Sequence, residues 1–280
     1  MWIWLVLLYG VLKGTREICK KKALLTCSAT EVLLIYSAVA FLLVCPDASR
    51  AMGLEPKYYL LIALKSFVIF IAWICSFTAI KQLPLSFYGV LDLSRVLFST
   101  SLGIIVLGEK MSLFNTIGLI LVSIGLLLLK FKPSKDHSEK LPVKLVIIAL
   151  ISCLLNAVSA LMDKMLMADI NSSQLQFWYM LFLCIFYAIY ALIQHSQVDL
   201  KKTLTNKWIW LLSIMFVIAD RALFVANGMA DSQITIMTLL KQVGCVVTIL
   251  AGKFIFKEKN TGHKFICAAI VIAGIVLSVL

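Results

Sequence analysis

Charge is scarce in this chain. Asp, Glu, Lys and Arg make up 14% of its 280 residues, against about a quarter in an ordinary soluble domain. Only 14 residues are acidic, and proline and histidine number five and three. With 62% of the residues hydrophobic, a soluble fold would leave much apolar surface in water, which excludes that class. The eight cysteines stand singly, most inside apolar runs, such as Cys75, Cys153, Cys184, Cys245 and Cys267. No CxxC or Cys/His ligand spacing occurs, so neither a disulfide framework nor a metal site is expected, and no cofactor is implied. His137 falls in a polar segment and His195 and His263 near the ends of apolar runs, which leaves no buried histidine relay. No GxxxxGK[ST] is present for ATP and no HExxH for metal-assisted hydrolysis. The isolated serines and aspartates form no catalytic arrangement, so an enzyme is not expected. An intramembrane enzyme or scaffold is the weakest alternative.

What the chain has instead is long apolar runs, many reaching the roughly 20 residues of a membrane-spanning helix. They fall at 2–22, 32–44, 58–80, 85–107 and 113–129, then at 146–165, 175–193, 208–228, 235–256 and 265–280. That pattern predicts an all-α integral membrane protein of about ten transmembrane helices. The opening MWIWLVLLYG lacks a basic start and a small-residue cleavage site, and reads as the first span rather than a removed signal. Ser28 and Glu31 form a capping box ahead of the second run. The net charge of +12 comes largely from clusters between runs, at 20–22, 130–144, 201–202 and 257–264. Such clusters flank spanning helices and meet anionic lipid. No basic face with interleaved aromatics remains for nucleic acid, so the expected partners are the lipid bilayer and a small-molecule substrate.

One stretch occurs twice. Residues 85–110 echo at 234–259 with a shift of 149, which sets Gly103 on Gly252, Glu109 on Glu258, Lys110 on Lys259 and Ser99 on Thr248. Gly125 then meets Gly274, while Asp92 falls on Lys241 and Gly108 on Lys257. The charged, proline-containing segment 130–144 divides the chain into a first half, 1–129, and a second, 145–280. Five spans per half is an odd number, so the halves would enter the membrane in opposite senses as two five-helix inverted repeats. Such repeats place a substrate near the midplane at their interface.

The rare charges within the runs are the site candidates. A charged residue at the centre of a span costs roughly 2.5–3.5 kcal/mol. Lys13, Arg16, Glu17, Asp92, Arg95, Asp220, Arg221 and Lys241 all stand near mid-run. Facing lipid they would together cost on the order of 20 kcal/mol, so they must pair or line a wet cavity. Asp92 and Arg95 can meet at i, i+3, and Asp92 is expected opposite Lys241, either as a structural ion pair locking the halves or beside the substrate. Asp220 and Arg221 point about 100° apart, so only one of them faces the cavity. Asn156, Ser159 and Asp163 form a further polar stripe, with Asp163 and Lys164 expected at the interface, and Lys65 is expected to snorkel. The candidate substrate-binding residues are therefore Lys13, Arg16, Asp92, Arg95, Asp220, Arg221 and Lys241, with Glu17 the candidate coupling group. The surplus of cations favours an anionic group such as carboxylate or phosphate. Glu109 and Glu258, at helix ends, are expected to be structural.

The closing spans of each half, AIKQLPLSFYGVLDLSRVLFSTSLGIIVLGEKMSLFNTIGLILVSIGLLLL and ITIMTLLKQVGCVVTILAGKFIFKEKNTGHKFICAAIVIAGIVLSVL, resemble the drug/metabolite transporter superfamily, specifically its EamA-type permeases. The glutamates closing the fourth and ninth spans, Glu109 and Glu258, and the late glycines Gly125 and Gly274, carry the likeness. Lys257, in place of Gly108, departs from it. The resemblance implies ten helices, two EamA-like repeats, a central cavity and secondary transport of a small metabolite by alternating access. The expected location is the plasma membrane, multi-pass, as a monomer or homodimer, with an anionic or zwitterionic substrate. A flippase for a lipid-linked sugar or polyprenyl phosphate, and a cationic drug exporter, stand as alternatives. The resemblance puts both termini in the cytoplasm, whereas the Lys and Arg distribution favours the outside.

Overall fold

A computed structural model describes residues 2–108, 112–130, 142–195, 198–258 and 261–279. The described residues form helices and connecting turns without strands. In order these are α1 (Trp2–Leu24), α2 (Ala29–Val44), α3 (Ala48–Ala51), α4 (Pro56–Gln82), α5 (Leu85–Leu91), α6 (Ser94–Leu107) and α7 (Leu113–Lys130). Then come α8 (Val143–Leu166), α9 (Ser172–Ile193), α10 (Leu200–Leu204), α11 (Lys207–Asn227), α12 (Ile234–Leu240), α13 (Val243–Phe254) and α14 (Thr261–Val279). Among the described residues six segments are long and apolar enough to cross a membrane: Ala29–Ala51, Pro56–Gln82, Leu85–Leu107, Val143–Leu166, Ser172–Ile193 and Lys207–Asn227. Shorter apolar helices accompany them at Leu113–Gly125, Val243–Phe254 and Gly262–Gly274. The 23-residue α1 stands apart from the six because Lys13, Arg16 and Glu17 interrupt its middle. Large apolar side chains such as Leu60, Ile105 and Leu192 stand more than 70% exposed on the outer faces, an exposure that suits contact with lipid rather than water.

Local sequence accounts for the helix starts. Ser28 accepts a hydrogen bond from the Glu31 amide while the Glu31 carboxylate accepts from the Ser28 amide, closing the expected capping box on α2. Asn171 and Gln174 do the same for α9. Pro56 occupies the first turn of α4, where its missing N–H is no loss.

The 85–107 and 235–256 runs differ from the expectation of single helices. Each is broken in its middle. α5 gives way to α6 across Asp92 and Leu93, and α12 to α13 across Lys241 and Gln242. Tight i, i+3 bonds replace the α-helical pattern at both breaks: Arg95 to the Asp92 carbonyl and, 149 residues on, Gly244 to the Lys241 carbonyl. The ends of the broken helices also correspond. Gly108 and Lys257 both adopt left-handed backbone, at φ 65° and 51°, so the lysine departs from the glycine pattern in side chain and not in conformation.

Packing between the halves is reciprocal. α1 packs on α11 and on α13, as α8 packs on α4 and on α6; α2 meets α9, α5 meets α13 as α12 meets α6, and α7 meets α14. Close backbone approach is bought with glycine at the crossing of α1 and α13. A side chain added at Gly14 would meet the Gly244 carbonyl at 2.6 Å, and one at Gly244 would meet the Gly10 carbonyl at the same distance. Across α7 and α14, Gly125 and Gly274 serve the same purpose.

Candidate functional site

The polar face of α1 supplies the centre. Lys13, Arg16, Glu17 and Lys20 recur at helical spacing, and all four side chains are at most 12% exposed. They look into a cavity of about 70 Å³ enclosed by α1, α2, α4, α6, α8, α9 and α11, with Lys241 at the α12–α13 break completing its wall.

Each expected site residue can be followed individually. Asp92 sits at the α5–α6 break with both carboxylate oxygens taken: Lys13 Nζ donates at 2.5 Å to one and Arg95 Nη2 at 2.6 Å to the other. The i, i+3 contact of Asp92 with Arg95 is thus formed. The expected contact of Asp92 with Lys241 is not. α1 lies between the two breaks, with Gly10 against the Lys241 backbone and Lys13 reaching Asp92. Those nearer cations satisfy the carboxylate. Arg16 donates to Asp220 at 3.2 Å and lies 5.0 Å above the Phe216 ring. Lys20 binds Glu17 at 2.8 Å and faces Phe77 at 4.6 Å. Glu17 keeps one buried oxygen, Oε2, without a hydrogen-bond partner among the described residues.

Two of the expected residues do not line the cavity: Asp92, which lies behind Lys13 and Arg95, and Arg221. Asp220 takes the inward direction, and Arg221, one residue on, points to the flank. There it binds Asp47 at 2.6 Å, Ser173 at 2.7 Å and the side-chain oxygen of Gln176. The 100° step between adjacent helix residues forces one or the other outward.

Two further residues enter the cavity against expectation. Lys65 does not snorkel; it is 1% exposed, 3.0 Å from Asp163, and seated on the ring of Tyr179 at 3.1 Å. The ammonium lies close to Asp163 Oδ1 but off its hydrogen-bonding directions. Asp163 is likewise buried in the cavity wall rather than at the interface, while Lys164 turns away to Ser232 and the Asn227 carbonyl. Depth along α4 is the sequence signal for Lys65. It stands nine residues beyond the Pro56 start of α4, about 14 Å at 1.5 Å per residue, too deep for its stem to reach the interface. Asn156, Ser159 and Asp163 share one α8 face, as Lys13, Arg16 and Lys20 share one on α1.

Lys241 differs from every other cation at the centre. Among the described residues no carboxylate lies within 4.0 Å of it, and its near neighbour is the Tyr9 ring at 5.5 Å. It is 6% exposed. Lys13, Arg16, Lys20, Lys65, Arg95 and Lys241 stand with Glu17, Asp92, Asp163 and Asp220, six basic groups to four acidic ones, a formal surplus of two. Unpaired ammonium, partly paired carboxylates and aromatic walls can hold an organic ion with both polar and apolar parts. No His/Cys/Asp/Glu group with metal-binding proximity is present among the described residues.

The glutamate of the second hairpin has a structural place. Glu258 accepts from the Leu85 amide at 2.6 Å, the Ser86 amide at 3.2 Å and the Ser86 hydroxyl, capping α5 across the two halves. Lys264 lies 3.4 Å away. Partial burial would raise this carboxyl, but the Ser86 hydrogen bond, the Lys264 charge and the two amides outweigh it and hold it below the usual carboxylate range. Glu109, its counterpart, and Lys110, Lys259 and His137 lie outside the described residues.

Comparison with known proteins agrees with this architecture. One solved structure, described as "Crystal structure of protein", shares the fold with a TM-score of 0.68, covering 97% of this chain and 98% of that one at 14% identity. No curated protein matches the chain. The model of the EamA-like transporter family matches twice, over residues 1–131 and 143–280. The chain therefore belongs to the EamA-like transporter family.

Proposed function

We propose that this protein is a secondary transporter of a small organic anion, or of a zwitterion with an exposed acid, working by alternating access at the plasma membrane. In this reading it spans the bilayer ten times, as two five-helix inverted repeats joined by 130–144. The observation that carries it is Lys241: a buried ammonium, without a carboxylate partner among the described residues, on the wall of a central cavity and at the break of a discontinuous helix. Discontinuous helices at the interface of inverted repeats are where transporters bind ions and charged substrates. A buried charge without a partner costs several kcal/mol, a cost that a bound anion offsets.

Lys13, Arg16, Asp92, Arg95 and Asp220 then shape and balance the site, and Arg221 is withdrawn from it because it serves the flank. The cavity, at about 70 Å³, is too small for most metabolites, so binding requires the helices around it to part. Glu17 is the coupling group in this scheme, since it lies in the cavity with one carboxylate oxygen unengaged among the described residues.

A thermal-shift screen of organic acids and amino acids on detergent-solubilised protein tests the reading. A stabilising ligand should lose its effect in Lys241→Ala. Reconstituted in sealed vesicles, the protein should move that ligand without converting it. Unchanged binding and transport of every identified ligand after neutralising Lys241 and Arg95 in turn would overturn the assignment.

A further inference from the structure

A second cavity lies on the outside of the bundle. It is an open groove of about 810 Å³ between the first half of α1, the end of α2 and the second half of α11. Its floor is apolar, and Leu8, Leu43 and Ile218 are each between 43% and 51% exposed on it. Asp47, Arg50 and Arg221 also line it, Asp47 in the turn that follows α2 and Arg50 in α3. Helix direction orders these parts. The start of α1, the end of α2 and the end of α11 lie together, so the groove begins at one mouth of the bundle and runs inward.

The charges there are unequally satisfied. Arg221 uses all three of its donor nitrogens, on Gln176, Ser173 and Asp47. Arg50 shares the same Asp47 at 3.7 Å, and its side chain remains 80% exposed. One carboxylate thus serves two guanidiniums, which leaves the rim positive and the fork of Arg50 open to an anion. An apolar concavity in a lipid-facing wall, with a cation at its interfacial end, has the charge and polarity pattern of an anionic phospholipid.

We propose that this groove binds one anionic phospholipid, with its phosphate on Arg50 and an acyl chain along Leu8, Leu43 and Ile218. The lipid would fill the seam where α1 meets α2 and α11. It would therefore sit behind Arg16 and Asp220, whose helices line both the groove and the central cavity.

The test is competitive retention of lipid by the purified full-length chain in detergent, read by native mass spectrometry. Phosphatidylglycerol is offered against phosphatidylcholine of the same acyl chains. One phosphatidylglycerol should be retained in preference, by about fivefold for the Arg50 contact. Arg50→Gln should remove that preference, and Ile218→Trp, which fills the groove, should reduce retention of both lipids. Both side chains are exposed, so folding should survive. Glycerol phosphate at the same concentration should not displace the lipid, because it lacks the acyl chain. Equal retention of the two lipids, a preference unchanged in Arg50→Gln, or displacement by glycerol phosphate would each overturn the proposal.

Discussion

Asp92 and Lys241 occupy the same place in two related stretches, each at the break of a discontinuous helix, yet their surroundings treat them oppositely. Asp92 is clamped by Lys13 and Arg95 on its two oxygens. Lys241 has the Tyr9 ring at 5.5 Å and no carboxylate within 4.0 Å among the described residues. A similar reversal runs through the nearby ion pairs. On one side α1 brings the cation, Arg16, to the carboxylate of α11, Asp220; on the other α8 brings the carboxylate, Asp163, to the cation of α4, Lys65. The reciprocal packing of the halves is kept while the signs are exchanged. Related backbones can therefore hold one break shut with internal charge and leave the other with charge to spare. A saturated carboxylate is scaffold, whereas an unsaturated ammonium has binding capacity left.

The sharpest way to break this comparison is to neutralise each break in turn. Asp92→Asn would strand two buried cations and should cost about 3–5 kcal/mol of stability, measured by unfolding in detergent. Lys241→Met removes an unpaired buried charge and should leave stability unchanged or raised, while weakening binding of an anionic ligand at least about tenfold, equivalent to one charge-assisted contact. An equal loss of stability in the two variants would end the distinction. A double-mutant cycle on Lys65 and Asp163 comes next. Their coupling should lie on the order of 1–3 kcal/mol, with Lys65→Met/Asp163→Leu recovering most of the loss in Asp163→Leu.

Smaller effects sharpen the comparison at the hairpins. Glu258→Gln should destabilise by about 1 kcal/mol as an N-terminal helix contact, with part of that lost to screening where the site is exposed. Because the folded-state carboxyl lies below its usual range, the stabilisation is complete above the unfolded value of about 4.3. It is lost as pH falls through the lower folded value, so wild type and variant should converge in acid. At Lys257 the left-handed backbone that Gly108 adopts freely is imposed on a lysine. Lys257→Gly should therefore raise stability by up to about 1 kcal/mol, read as a small increase in melting temperature.

Much of the organisation was legible in advance. The apolar runs, the capping box at Ser28, the match of Gly125 to Gly274 and the contact of Asp92 with Arg95 all follow from spacing along a single helix or from a repeated pattern. The errors share a different cause. Lys65 and Asp163 read as interfacial when each is taken against its own run alone; Lys65 is instead covered by Tyr179 of α9 and Phe224 of α11, with Asp163 beside it. The ion pair of Asp92 with Lys241 failed because a third helix, α1, enters between the two breaks. Neither Asp92-Leu93 nor Lys241-Gln242 contains a proline or glycine, so the residues between the paired helices do not by themselves announce a break.

The sequence by itself determined that this chain lies in a membrane as a helical, internally duplicated protein, because apolar length and helical period are properties of continuous segments. It also determined that the rare charges within those segments must turn inward, since lipid cannot solvate them. Only the tertiary structure decided which charges meet. Partner choice among buried ions is set by distances of a few ångströms between helices remote in sequence. That is why Asp92 is satisfied, Arg221 leaves the cavity, and Lys241 is left facing it.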